Sequence, residues 1–164
     1  MAAAVAAVAA AVAAPAPTRV IQGDRVVGGL RVAQATLADA RAKLGTPTTT
    51  RSRGVSCVVT WRGLGARLEL LDFEGQGCAR GVVVATVTSR SAWRTSVGLR
   101  VGDSTTRLRR LFPRASFHSG APGGYWLVTR RRCAEAGGGA FPGLLARVRA
   151  GRVTALVVTA GVCE

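Results

Sequence analysis

The sequence predicts an α+β fold of two tandem units, each a short helix packed on a three-stranded antiparallel meander. Three observations predict it. Gly29-Leu30-Arg31-Val32 recurs as Gly98-Leu99-Arg100-Val101, 69 residues later. After each copy, a Thr-containing stretch leads into apolar residues at helical spacing. After each helix, apolar residues alternate with polar ones at the two-residue period of a half-buried strand.

The first unit spans residues 26–92. Leu37, Ala40 and Leu44 are three and four residues apart, so they share one helix face. Gly45-Thr46-Pro47 stops that helix, because Gly takes the left-handed cap and Pro cannot continue the hydrogen-bond ladder. Strands are expected at 55–62, 66–73 and 82–89. In the first of them Val55, Cys57, Val59 and Trp61 alternate with Ser56, Val58, Thr60 and Arg62. Trp93-Arg94-Thr95-Ser96 is the expected connection to the second unit, which spans residues 93–164. There Asp103 or Ser104 is the N-cap, Leu108, Leu111 and Phe112 form the apolar stripe, and Pro113 ends the helix. Matching the two helices requires a one-residue deletion in the second copy. Strands follow at 124–130, 144–149 and 152–159, with Ala150-Gly151 marking a tight hairpin. Val82-Val83-Val84 and Leu156-Val157-Val158 are the most apolar runs, which places them in central strands. A unit this short buries only a marginal core, so two are expected to pack together. The glycine-rich loops at 120–124 and 137–139 are expected to be mobile and tolerant of change.

The 164 residues carry 23 Lys and Arg against 8 Asp and Glu, a formal charge of +15. A hydrophobic fraction of 48% excludes a disordered basic tail, and the charge excludes a polytopic membrane protein. Lys43 is the sole lysine, a bias that coding towards G+C explains in part. Residues 2–14 are only Ala and Val, too short to span a bilayer but matching the apolar stretch of a signal peptide. Residues 1–17 are therefore expected to be a leader, and the protein to be secreted or held in the cell envelope. The mature chain is expected to contain no transmembrane segment.

Cysteine usage agrees with export. Cys57, Cys78, Cys133 and Cys163 are even in number, and none lies at the spacing of a zinc knuckle. Two disulfides are expected. Of the three pairings, Cys57–Cys78 with Cys133–Cys163 keeps each bridge within one half of the chain. Loops of this length stabilise by about 3–4 kcal/mol each through the entropy they remove from the unfolded chain.

Gly-Leu-Arg-Val, then Thr, then a short helix ending at Leu-Gly-x-Pro, then a strand meander, resembles the repeat of the BamE-like (SmpA/OmlA) family of small outer-membrane assembly lipoproteins. The doubled arrangement over about residues 26–160 is similar to the fold of the β-lactamase inhibitory proteins, in which two such units form one curved sheet surface. The resemblance implies a bacterial fold whose habit is binding other proteins. It does not extend to a lipid anchor, since the family attaches through a Cys at the cleavage site and no Cys precedes Cys57. None of the inhibitors' contact residues has a motif here on which to place it.

The residues argue against catalysis. His118 is the only histidine, and no Gly-x-Ser-x-Gly elbow presents a serine to it. The acids are scattered. Glu69, Asp72 and Glu74 are closest in sequence, but Glu69 and Asp72 point to opposite faces of a strand. Gly75-Gln76-Gly77 lacks the third glycine of a dinucleotide loop and the Lys-Ser/Thr of a phosphate loop, so it is a turn. No metal site and no cofactor are expected. A secreted hydrolase using His118 is the least favoured class.

Binding residues are the better candidates. Arg130, Arg131 and Arg132 end a strand beside Tyr125 and Trp126, and Trp61 and Trp126 are the candidate anchors. Arg107, Arg109 and Arg110 lie on the second helix, and Arg147, Arg149 and Arg152 flank the last hairpin. The expected function is an exported, non-catalytic binding protein with a protein partner. An anionic envelope polymer or lipid headgroup, reached through the arginine clusters, is the second class. Nucleic acid is disfavoured by the leader and by the lack of a recognition motif.

Overall fold

The computed structural model describes residues 17–161 apart from 73, 76, 121–122 and 133–139. The expected leader, apart from Pro17, and the expected Cys133–Cys163 bridge lie outside the described residues, as does the Gly137–Gly139 loop.

Three short strands come first: β1 (Val20–Gln22), β2 (Val26–Val27) and β3 (Leu30–Arg31). They are followed by α1 (Leu37–Leu44), β4 (Thr49–Arg53), β5 (Ser56–Trp61), β6 (Ala66–Leu71), a 3-10 turn (Gly77–Ala79) and β7 (Val82–Thr88). The second half runs β8 (Arg94–Thr95), α2 (Thr105–Leu111), β9 (Ser116–His118), β10 (Tyr125–Arg132), β11 (Ala140–Arg149) and β12 (Arg152–Thr159). The large sheet has the order β4-β5-β6-β7-β12-β11-β10-β9, and the small one β3-β2-β1-β8. All pairings are antiparallel except β1 with β8.

The fold is β-rich, which corrects the α+β expectation: among the described residues strand makes up 49% and helix 13%, with only two α-helices. Each meander also has four strands instead of three. β4 reads Thr-Thr-Arg-Ser-Arg and β9 Ser-Phe-His, so neither carries the apolar alternation that marks a half-buried strand. They are edge strands, and backbone pairing to one neighbour holds them without a buried stripe. The small sheet was equally hidden, because strands of two or three residues are too short for any period. Its central strand β1 lies before residue 26, outside the expected first unit.

The repeated tetrapeptide does the same structural job in both halves. Leu30 and Val32, like Leu99 and Val101, are buried, while Arg31 and Arg100 project outward. The chain then docks on the start of its own half's last strand. Ala33 N–H donates to the Val83 carbonyl at 2.7 Å and Val83 N–H to Ala35 at 2.8 Å; Gly102 N–H donates to Val153 at 2.8 Å and Val153 N–H to Asp103 at 2.9 Å. The N-caps Thr36 and Ser104 follow, bridging Val82 and Arg152 respectively. The second path is one residue shorter, as the expected deletion requires.

The two meanders join through β7 and β12, in register from Ala85↔Thr159 to Thr88↔Leu156, so the eight strands are one continuous sheet. A single core lies on one face of it, beneath both helices and the small sheet. Leu37, Ala40 and Leu44 from α1, Leu108 from α2 and Ile21, Val27 and Leu30 from the small sheet pack there against Val59, Leu68, Leu70, Leu156 and Val158. Trp93 is fully buried and its indole N–H donates to the Leu64 carbonyl at 2.7 Å. The expected connection thus also supplies core through Trp93 and sheet through Arg94-Thr95. At Ala150-Gly151 both φ angles are positive (48° and 71°), the geometry of the two-residue hairpin that the sequence signalled.

Thr36 caps α1 reciprocally with Asp39. The Thr36 hydroxyl accepts from Asp39 N–H, and the Asp39 carboxylate accepts from Thr36 N–H at 2.9 Å. The Thr36 backbone N–H, then its hydroxyl, hold the Asp39 carboxyl below its ordinary value of 3.8. A lowered folded value stabilises above the unfolded value and is lost as pH falls through the folded one. Thr36→Ala is expected to cost about 1 kcal/mol at neutral pH. Asp39→Asn is expected to be less stable than the parent at neutral pH and to converge with it as pH falls through the folded value. Urea midpoints measured across pH check both; an Asp39→Asn difference that persists in acid would contradict the carboxylate's part in the cap.

Candidate binding face

In a sheet, directly paired residues project to the same side, so the register identifies what each face carries. One row on the core side runs Trp61, Ala66, Thr88, Leu156, Ala146, Trp126, Phe117. The row beside it, on the opposite side, runs Thr49, Thr60, Arg67, Val87, Val157, Leu145, Leu127, Ser116. Val157, Ala155 and Leu127 are buried yet do not join the core cluster, because they belong to this outer side. Among the described residues, both helices and the small sheet contribute their buried side chains to the core side.

The outer face changes character along its length. At the β4–β6 end, Arg51, Arg53, Arg62 and Arg67 surround a shallow depression floored by Val58 and Thr60. The middle is apolar, with Val87, Val157 and Leu145 in line. At the far end Arg147 sits next to Tyr125, whose ring stacks on His118 at 5.2 Å between centroids and 9° between planes. Glu69, paired to Val58 on β5, is the acid on this face, and its carboxylate accepts from Ser56 at 3.5 Å. None of the four clustered arginines forms an ion pair among the described residues.

The sequence-predicted residues scatter across this framework. Trp61 is 3% exposed, and its indole N–H donates to the Gly45 carbonyl at the end of α1, 2.8 Å away. Its surface is spent on the core, which corrects its candidacy as an anchor. Tyr125 and Trp126 are consecutive on β10 and so face opposite sides. Trp126 lies on the core side, half-buried, in a cleft with Arg109, Arg110, Pro113 and Ala115, and 5.6 Å from the exposed Phe117 ring. The run Arg130-Arg131-Arg132 is split by the same alternation. Arg130 and Arg132 are exposed, while Arg131 lies over the Phe141 ring at 5.4 Å and donates to the Thr159 carbonyl. Three consecutive arginines on a strand do not make one patch.

The cluster at β4–β6 was missed because β4 is polar at every position and shows no alternation. The overlooked signal was Arg62 and Arg67, which adjoin Trp61 and Ala66 and therefore face away from the core. Arg107, one of the helix arginines, pairs with Asp103 at 3.1 Å and supports its own helix.

His118 Nε2 lies 3.1 Å from the Ser116 hydroxyl, and among the described residues no carboxylate hydrogen-bonds to the ring. Asp72 is buried and accepts from Glu74 N–H at 3.0 Å, while Glu74 pairs with Arg80. Among the described residues no three acids, histidines or cysteines converge as metal ligands. Cys57 and Cys78 form a disulfide, and among the described residues no helix is long and apolar enough to cross a membrane. No family model, curated protein or solved structure matches the chain.

Proposed function

We propose that the chain is an exported, non-catalytic binding protein that engages a protein partner with the outer face of its eight-stranded sheet. The observation that carries this reading is the composition of that face: an apolar centre at the half-buried Val87 and Leu145, either side of the buried Val157, between arginines at one end and Tyr125 with Arg147 at the other. Apolar area flanked by arginine and tyrosine is the make-up of interface hot spots. A paired, disulfide-stapled scaffold holds it rigid, which lowers the entropy cost of association. The Cys57–Cys78 bridge and the apolar leader support an oxidising, exported setting. The resemblance to the BamE-like and β-lactamase inhibitory protein repeat points the same way.

Capture of a partner from envelope extract is expected to fall at least tenfold for Arg67→Glu combined with Val87→Asp, both on the outer face. Arg109→Gln with Arg110→Gln, on the helix side, should capture as the parent does. Equal capture by the outer-face variant would overturn the reading. The second reading, an anionic polymer or lipid headgroup bound through arginines, is favoured by the cluster Arg51, Arg53, Arg62 and Arg67, which forms no ion pair among the described residues. It requires retention on heparin that falls steeply with salt and is indifferent to Val87→Asp.

A further inference from the structure

Within that binding face, β4 differs from every other strand. Among the described residues it is a terminal strand of the large sheet and pairs only with β5, without a register shift from Thr49↔Thr60 to Arg53↔Ser56. The edge at the other end, β9, is three residues long, whereas β4 has five. β4 contains no Pro and no bulge, the usual devices that block strand addition. Its remaining defence is charge, and the charge is selective. Arg51 and Arg53 alternate onto the outer face, and Arg62 and Arg67 extend the same positive field inward. A second copy of this chain would bring like charges opposite one another, which disfavours self-pairing.

We propose that β4 is a docking edge for an extended acidic segment of a protein partner, which adds as a further strand with carboxylates at alternate positions against Arg51 and Arg53. Backbone pairing would supply affinity, and side chains on one face of the added strand would supply specificity. Directly opposed Cβ atoms on neighbouring strands lie about 5 Å apart, within reach of an arginine–carboxylate pair. Residues between the carboxylates would face the other side, so the recognised pattern is acid-x-acid. This inference rests on the binding-protein reading and names its partner's chemistry.

The test uses the oxidised protein and a labelled peptide, Thr-Glu-Val-Glu-Thr-Glu, followed by fluorescence anisotropy. Binding is expected to weaken about tenfold in Arg51→Gln/Arg53→Gln, and by less than about twofold in Arg130→Gln/Arg132→Gln, which removes the same charge elsewhere. A peptide of the same composition in which no two Glu are two residues apart, Glu-Glu-Thr-Val-Glu-Thr, should bind several-fold more weakly. Of two peptides N-methylated on alternate amides, one on each edge, one should lose binding. Equal binding by both methylated forms, or by the respaced peptide, would identify a diffuse polyanion surface and overturn the docking edge. No binding by the parent peptide would also overturn it. Partner capture that still depends on Val87 would then leave the wider reading standing without this edge.

Discussion

The Cys57→Ala/Cys78→Ala variant is expected to be about 3 kcal/mol less stable than the oxidised parent, with a melting temperature roughly 6–12 °C lower. The bridge closes a loop with a sequence separation of 21, and most of its effect comes from restricting the unfolded chain. It ties β5, in the large sheet, to the 3-10 turn between β6 and β7. Because Cys57 is buried on the core side, its removal leaves the outer-face side chains in place. Partner binding below the melting transition should therefore survive. Guanidinium denaturation of the paired variant measures the loss. A loss below about 1 kcal/mol would mean that the bridge constrains little that the sheet does not already hold.

Trp93→Ala carries the second large effect, an expected loss of about 4 kcal/mol. The side chain is fully buried, and its indole N–H satisfies the Leu64 carbonyl in the loop between β5 and β6. Truncation opens a cavity between the small sheet and that loop and leaves a part-buried acceptor unpaired. Trp93→Phe fills much of the space but loses the hydrogen bond, so roughly half the cost is expected. Urea midpoints of the two variants separate the packing part from the hydrogen-bond part. Equal stability of Trp93→Phe and the parent would assign the effect to packing alone.

Tryptophan was where sequence reasoning ranked residues least well. Trp61 and Trp126 stand in recognisable strands and drew attention, whereas Trp93 sits in a short polar stretch with the composition of a linker. Nothing local reveals that Arg94-Thr95 pairs in parallel with β1, more than 70 residues earlier. Long-range pairing of that kind leaves no period in the sequence. What did leave a period was recovered: the six inner strands, both helices, their stop signals, the Ala150-Gly151 hairpin and the Cys57–Cys78 pairing. The duplication was legible because Gly-Leu-Arg-Val must serve the same geometry twice, burying Leu and Val while presenting Arg.

The site was less legible than the fold for one physical reason. A run of side chains on a strand is divided between two faces, so clustering in sequence is not clustering in space. Arg130, Arg131 and Arg132 look like a patch and are split. Arg51, Arg53, Arg62 and Arg67 look dispersed and converge.

Photo-crosslinking tests the central claim most directly. Benzoylphenylalanine placed at Thr60 or Val87 reports from the outer face, and at Gln34 or Lys43 from the side bearing α1. The account predicts that the captured partner crosslinks from Thr60 and Val87 and not from Gln34 or Lys43. Crosslinks confined to Gln34 or Lys43 would contradict it.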